Sequence, residues 1–264
     1  MSLSPSPRPL TAVVDRLRAA GCVFAEDEAE LIVATARTPD DVAAMVERRA
    51  AGLPLEQVLG WAEFHGLRVS VDPGVFVPRR RTEFLVAEAE ALARPGAVVV
   101  DLCCGTGAIG AAIAAAVGGV ELHAVDVDPA AVRCARRNLA ALGGHVHEGD
   151  LYAPLPARLR GRAGVVVACA PYVPTGEIRL LPAEAREHEP HVALDGGTDG
   201  LAVVRRVIAE APAWLAPGGS LLLETSERQA PAALEAVAAA WLVPRLARSD
   251  ELNATVVTGT LTRS

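Results

Sequence analysis

Unbroken apolar runs alternate with amphipathic stretches along most of this chain. Val98 to Val100 leads into Asp101, a glycine-rich turn carrying Gly105, Gly107 and Gly110, and an alanine-rich run from Ala111 to Val117. Consecutive β-branched residues without polar alternation predict a strand buried on both faces, and the run beyond the turn predicts a helix packed on it. The alternation recurs. Glu121 to Asp126 reads as a strand and Ala130 to Ala141 as a helix, followed by short strand His145 to His147 and strand Gly164 to Cys169. Helix Leu201 to Leu215, turn Ala216 to Gly219, strand Ser220 to Thr225, helix Gln229 to Ala240 and a closing strand pair, Trp241 to Ala247 with Ala254 to Leu261, complete the series. Strands alternating with helices predict an α/β sheet. Thr175 to Gly200 lacks either period and reads as a long loop on the rim of a site.

The first part has a different rhythm. Residues 1 to 9 hold three prolines and three serines and predict a loose tail. Thr11 to Ala20, Glu26 to Ala36 and Pro39 to Ala51 carry apolar residues at helical spacing. Residues 52 to 78 are punctuated by Gly60, Gly66, Pro73, Gly74 and Pro78, and Leu67 to Val71 alternates as a half-exposed strand does, which predicts a hairpin. Thr82 is placed to cap a helix from Glu83 to Ala93. The division expected is a helical domain at 1–54, a linking hairpin at 55–78 and a nucleotide-type domain at 79–264.

Composition narrows the class. The 264 residues are 51% hydrophobic but only 3% aromatic, so aliphatic side chains must fill the core. A net charge of −7 argues against direct nucleic-acid binding, although Arg79, Arg80 and Arg81 form a local basic run. Five cysteines without C-x-x-C spacing argue against a disulfide framework or zinc site and predict a reducing, cytoplasmic setting. The N-terminal residues lack the pattern of a signal peptide, and no run is long enough to span a membrane. His145 and His147 lie on one strand face without an evident third ligand, so a structural role is expected and no metal is required.

The glycine loop itself admits two cofactors. Gly105-x-Gly107-x-x-Gly110 with Asp126 beyond fits a dinucleotide fingerprint, and it equally suits S-adenosylmethionine (SAM). Asp101 before the glycines favours SAM, because a carboxylate suits a cationic ligand and repels a pyrophosphate. Asp126 at a strand end offers two acceptor oxygens to ribose hydroxyls, since Asp128 ahead of Pro129 is the better helix cap. Asp150 can accept from an adenine amino group with Leu151 against the ring. Pro171 and Tyr172 at a strand exit place a rigid, planar surface beside the methyl group; an ordinary Pro-Tyr turn is the simpler alternative.

The order of motifs resembles the protein N5-glutamine methyltransferases that modify the Gly-Gly-Gln motif of peptide-chain release factors. The resemblance spans most of residues 55 to 260. It rests on Leu59-Gly60 with Glu63-Phe64, on Val71 to Arg79 with Thr82-Glu83, on Asp101 to Ala108, and on Asp126. Glu189-Pro190 with Ala193-Leu194, Gly196 to Leu201, and Pro217 to Gly219 continue it. It implies a Rossmann-like SAM-dependent methyltransferase fold with a mainly parallel seven-stranded sheet, a small N-terminal helical domain that recognises a protein substrate, and S-adenosylhomocysteine as product. It further implies cofactor contacts from Asp101, Cys103, Cys104, Gly105, Thr106, Gly107, Asp126, Val127, Asp150 and Leu151. The acceptor would lie against Phe76, Pro78, Arg79, Cys169, Ala170, Pro171 and Tyr172, with Cys169, Pro171 and Tyr172 nearest the chemistry.

One departure stands out. The family carries Asn-Pro-Pro-Tyr where this chain has Cys169-Ala170-Pro171-Tyr172. The Asn side chain and a neighbouring carbonyl bind the NH₂ that receives the methyl group, and a thiol is a weak donor and a weak acceptor. Three outcomes are consistent with the change: a different acceptor, a weak or inactive relative that still binds SAM, or an altered glutamine methyltransferase. Cys169 as a nucleophile lacks an identifiable base. DNA adenine methylation shares related motifs but finds no basic recognition domain here.

Overall fold

A computed structural model describes residues 7–262 of the chain. Of the expected loose tail, residues 1–6 lie outside the described residues, and Pro7 already opens the first helix. The helices α1 (Pro7–Ala19), α2 (Ala25–Thr35) and α3 (Pro39–Ala50) pack Val13, Leu17, Ala29, Ile32 and Val46 into a core of their own. Thr38 caps α3 by accepting from Asp41 N at 3.1 Å, with Pro39 at the first helical position. The stretch expected to be wholly hairpin begins instead with a short helix, α4 (Leu55–Leu59), which Gly60 stops in a left-handed conformation at φ 80°. The hairpin proper is β1 (Trp61–Phe64) against β2 (Leu67–Ser70).

Beyond it come α5 (Glu83–Leu92), β3 (Val98–Leu102), α6 (Ala108–Val117), β4 (Glu121–Asp126), α7 (Pro129–Leu139), β5 (His145–Glu148) and β6 (Ala163–Ala168). Then follow α8 (Ala183–His188), α9 (His191–Leu194), α10 (Ala202–Glu210), β7 (Leu215–Thr225), α11 (Ala230–Ala239), β8 (Val243–Ser249) and β9 (Ala254–Thr260). The seven-stranded sheet runs β5-β4-β3-β6-β7-β9-β8, and β9 runs opposite to the other six strands. This is the α/β sheet that the alternation of strands and helices predicts, in the Rossmann-like, mainly parallel seven-stranded form that the family resemblance implies. Two apolar layers cover its faces, one built around α5 and α6 and one around α10 and α11.

Three local expectations need correction. Thr82 ends a 3₁₀ turn and makes no capping bond to α5; it is buried at 4% exposure beside the site instead. The long loop at 175–200 folds into a 3₁₀ turn at Thr175–Leu180 and the helices α8 and α9. Each is too short for a helical period to show through its prolines and charges. Finally, β7 starts at Leu215, and its expected preceding turn, 216–219, is an irregularity within the strand, where the register against β6 shifts.

His123, His145 and His147 stack across β4 and β5, and His123 Nδ1 and His147 Nε2 share a hydrogen bond of 3.0 Å. Burial lowers the pKa of His123 and of His147. No group of three or more ligand-type side chains among the described residues converges on a metal position.

Candidate active site

The sheet reverses its winding between β3 and β6, and the crevice beyond the carboxyl ends of such strands is where α/β folds bind ligands. A cavity of about 660 Å³ occupies that position. It is lined by Phe76, Pro78, Arg79, Cys103, Cys104, Gly105, Thr106, Asp126, Val127, Asp150, Leu151 and the whole of Cys169 to Tyr172. Of the residues expected to contact cofactor or acceptor, all but Asp101 and Gly107 belong to its wall.

The turn after β3 is shaped by backbone demands. Cys103 and Gly105 take φ values of 55°, and Gly107 takes 77°. A side chain on Gly105 would point into open space, whereas one on Gly107 would press Ala135 and Leu139 at 3.2 Å. One on Gly110 would meet Asp101 Oδ2 and Leu122 at 3.1 Å. The three glycines therefore divide their work. Gly105 keeps the cavity floor bare, while Gly107 and Gly110 let α6 settle against α7 and β3.

Asp101 is fully buried behind this floor. Its Oδ2 accepts from Gly110 N at 2.9 Å, and its Oδ1 has no partner among the described residues. Burial raises its pKa to about 7 against the lowering effect of the Gly110 bond, and the nearby Asp126 pushes the same way as burial. Asp126 accepts from Gly105 N at 2.8 Å through Oδ2 and from Asp128 N at 2.9 Å through Oδ1. It is thus less free than expected, since it also fastens two loops together. Burial raises its pKa, offset by those backbone donors. Asp128 caps α7 through Ala130 N at 2.8 Å, as its place before Pro129 implies. Asp150 pairs with Arg206 at 2.5 Å at the cavity edge.

The opposite wall is held by side chains from far along the chain. Tyr172 donates its hydroxyl to Glu224 Oε1 at 3.1 Å and accepts from Arg81 at 2.6 Å, while Arg81 Nε bonds the same Glu224 oxygen at 3.2 Å. Gln229 donates to Tyr172 O and to Asp199 O, both at 2.9 Å. A side chain on Gly200 would lie 2.3 Å from Tyr172 O, and one on Gly196 would lie 2.7 Å from Pro171 O. That close approach is why the Gly196 to Gly200 loop can back the turn. Burial pushes the Tyr172 hydroxyl and the Cys169 thiol well up, and Glu224 adds to both shifts. Both groups hold their protons at neutral pH, so the thiolate needed for nucleophilic catalysis does not form at Cys169.

Arg79 and Glu189 pair at 2.6 Å, and Glu189 Oε1 also accepts from Val77 N. Arg49 bridges Glu28 at 2.7 Å and Glu184 at 3.1 Å, which ties α2 and α3 to the α8 rim of the cavity. Arg81, Glu189, Glu224 and Gln229 escape recognition as site residues in the sequence. Glu189 was visible only as part of a motif, and the others meet Tyr172 across separations of 52 to 91 residues.

Residues 66–172 match the family model of the methyltransferase small domain. A release factor glutamine methyltransferase of Geobacter sulfurreducens is 40% identical over 197 residues, covering 73% of this chain and 68% of that protein. A 4-amino-L-phenylalanine/4-methylamino-L-phenylalanine methyltransferase of Streptomyces pristinaespiralis is 39% identical over 191 residues, covering 70% of this chain and 65% of that protein. A methyltransferase from Pyrococcus furiosus shares the fold, with a TM-score of 0.57 over 83% of this chain and 98% of that one at 16% identity.

Proposed function

The chain belongs to the release factor glutamine methyltransferase family, and on that premise we propose that it methylates the side-chain nitrogen of glutamine in a release-factor-type Gly-Gly-Gln loop. The carrying observation is that the Gly105–Asp126 floor and the Cys169–Tyr172 wall face one cavity across adjacent strand exits. Bound SAM supplies an electrophilic methyl group on a positively charged sulfur.

The residues present fit that group. The bare floor at Gly105 admits close approach, Asp126 offers carboxylate oxygens, and the Asp101 oxygen without a partner among the described residues lies behind the floor. Asp126 is assigned to the ribose, Asp150 and Leu151 to the adenine, and Cys103 to Gly107, with Val127, to the remaining cofactor contacts. An amide nitrogen is a poor nucleophile, so the wall must aim it at the methyl carbon. Tyr172, clamped by Glu224 and Arg81, supplies a fixed plane for that, and Pro171 offers its carbonyl. Phe76, Pro78 and Arg79 complete the acceptor side. With Cys169 and Tyr172 both protonated, neither serves as a base, and the amide proton leaves to solvent after transfer.

A second reading keeps the reaction and changes the acceptor to an aryl amine, which is intrinsically more nucleophilic than an amide. The weak thiol at Cys169 favours it, and a relative named for such an acceptor is 39% identical to this chain, against 40% for the Geobacter release-factor enzyme. We further assign 1–54 to substrate recognition, 55–78 to the link and 79–264 to catalysis. A cytoplasmic setting agrees with five free cysteines and with the finding that no described helix is long and apolar enough to cross a membrane.

Incubating the chain with SAM and a release factor, then weighing the Gly-Gly-Gln peptide, tests the proposal. A gain of one methyl group supports glutamine as acceptor. No gain, with 4-aminophenylalanine methylated instead, supports the aryl amine. Retained SAM binding with neither product supports an inactive relative, and NADH binding in place of SAM overturns the cofactor.

A further inference from the structure

Tyr172 and Arg81 are party walls. Behind them, away from the main cavity, lies a second cleft of about 320 Å³, walled also by Glu224, Thr225, Arg248 and Asn253. Two of these wall residues are almost fully buried, Glu224 at 3% exposure and Thr225 at 4%. Each carries one buried oxygen without a hydrogen-bond partner among the described residues, Glu224 Oε2 and Thr225 Oγ1. Buried polar atoms are ordinarily satisfied, so an orphaned carboxylate oxygen in a cleft wall marks a place for a donor. Arg81 commits Nε to Glu224 and one terminal nitrogen to Tyr172, and its other terminal nitrogen makes no hydrogen bond among the described residues. The cleft thus sets an unused acceptor beside an unused donor, one residue's width from the cavity wall that faces the methyl acceptor.

An α-amino-acid unit has the matching pair. It presents N–H and C=O groups within a peptide, and ammonium and carboxylate when free. We infer that this cleft is a main-chain subsite: Glu224 receives the α-nitrogen of the acceptor residue and Arg81 its carbonyl or carboxyl, while the side-chain nitrogen passes Tyr172 into the main cavity. The inference rests on the proposed methyl transfer to an amino-acid side chain. It accounts for the clamp around Tyr172, because the groups that hold the ring also hold the substrate that passes it.

Binding is measured by calorimetry on the full chain with S-adenosylhomocysteine present, so that turnover is not required. One probe pair is a short Gly-Gly-Gln peptide and its analogue methylated on the glutamine main-chain nitrogen. The other is 4-aminophenylalanine and its analogue lacking the α-amino group. Wild type should bind the N–H-bearing member of at least one pair about tenfold more tightly, and the pair that shows the gap identifies whether a peptide or a free amino acid is the source. Glu224→Gln should close that gap, because its amide turns a donor toward a donor; Thr225→Val, whose side chain lies on the opposite face of β7, should leave it unchanged. Unchanged affinity for S-adenosylhomocysteine confirms that both variants fold. Equal binding within both pairs, no binding of any probe, or a gap that survives Glu224→Gln overturns the subsite. A gap without methylation by SAM leaves the subsite standing and overturns the proposed reaction.

Discussion

The two halves of the crevice are built in opposite ways. The half assigned to the donor, from Cys103 to Asp126, is set by backbone: positive φ angles at Cys103, Gly105 and Gly107, and carboxylates that accept main-chain N–H groups. The half assigned to the acceptor, from Cys169 to Tyr172, is set by side chains arriving from Arg81, Glu224 and Gln229. A backbone-built site tolerates variation in its side chains so long as its glycines remain. A side-chain-built site changes its chemistry with each substitution, which is where methyltransferases that share a donor diverge in acceptor.

The sharpest way to break this contrast is a methyl group on a glycine. Gly200→Ala would place a carbon 2.2 Å from Gln229 Nε2 and 2.3 Å from Tyr172 O, at φ 76°. A loss of about 3 kcal/mol is expected, read as a lowered denaturant midpoint, with acceptor turnover failing before SAM binding. Gly105→Ala meets open space and bears only the strain of its φ, so a loss of about 1–2 kcal/mol is expected. Equal losses at the two glycines would sink the contrast.

Next in size is Asp126→Ala. It removes the acceptor for Gly105 N and a proposed ligand for the ribose, and SAM affinity should fall about 100-fold by calorimetry, with binding of acceptor peptides unchanged. Cys169→Asn restores an amide acceptor and donor in the opposite half. Turnover of a glutamine substrate should rise about tenfold at constant SAM affinity, in a steady-state assay; a fall would favour the aryl amine.

A further effect is a slope with pH. Asp101 has a folded pKa of about 7, above its ordinary unfolded value near 4. Between those values the folded chain binds more protons than the unfolded one, so its stability falls as pH rises and levels off above about 7. The slope contributed cannot exceed about 1.4 kcal/mol per pH unit. Urea midpoints measured from pH 4 to 8 should show this decline in the wild type, and Asp101→Asn should remove it.

The same contrast explains what the sequence could reveal. The valines of β3 and β6 and the glycines between β3 and α6 act on their immediate neighbours, so a strand, a turn and a helix are legible from local pattern alone. The Asp128–Pro129 cap is local for the same reason. Arg81 and Glu224 act across 143 residues, and nothing in the neighbourhood of either announces the other. Thr82 looks like a cap because its residue type suits one, yet packing buries it beside Cys169 instead. The helices α8 and α9 were illegible because four to six residues cannot display a 3.6-residue period.

The position of β9 carries a consequence in time. This last strand, Ala254–Thr260, sits between β7 and β8 and pairs with Glu224 and Thr225 through Val256 and Thr255. The donor half draws on β3, β4 and β5, and β5 ends at Glu148. About 106 residues (254 − 148) separate its completion from the start of β9, or on the order of 5–20 s of translation. A nascent chain would therefore have every strand of its donor site long before Glu224 gains the neighbour that sets it against Tyr172. On the ribosome, the strands of the proposed donor half are made before the strand that sets Glu224 against Tyr172.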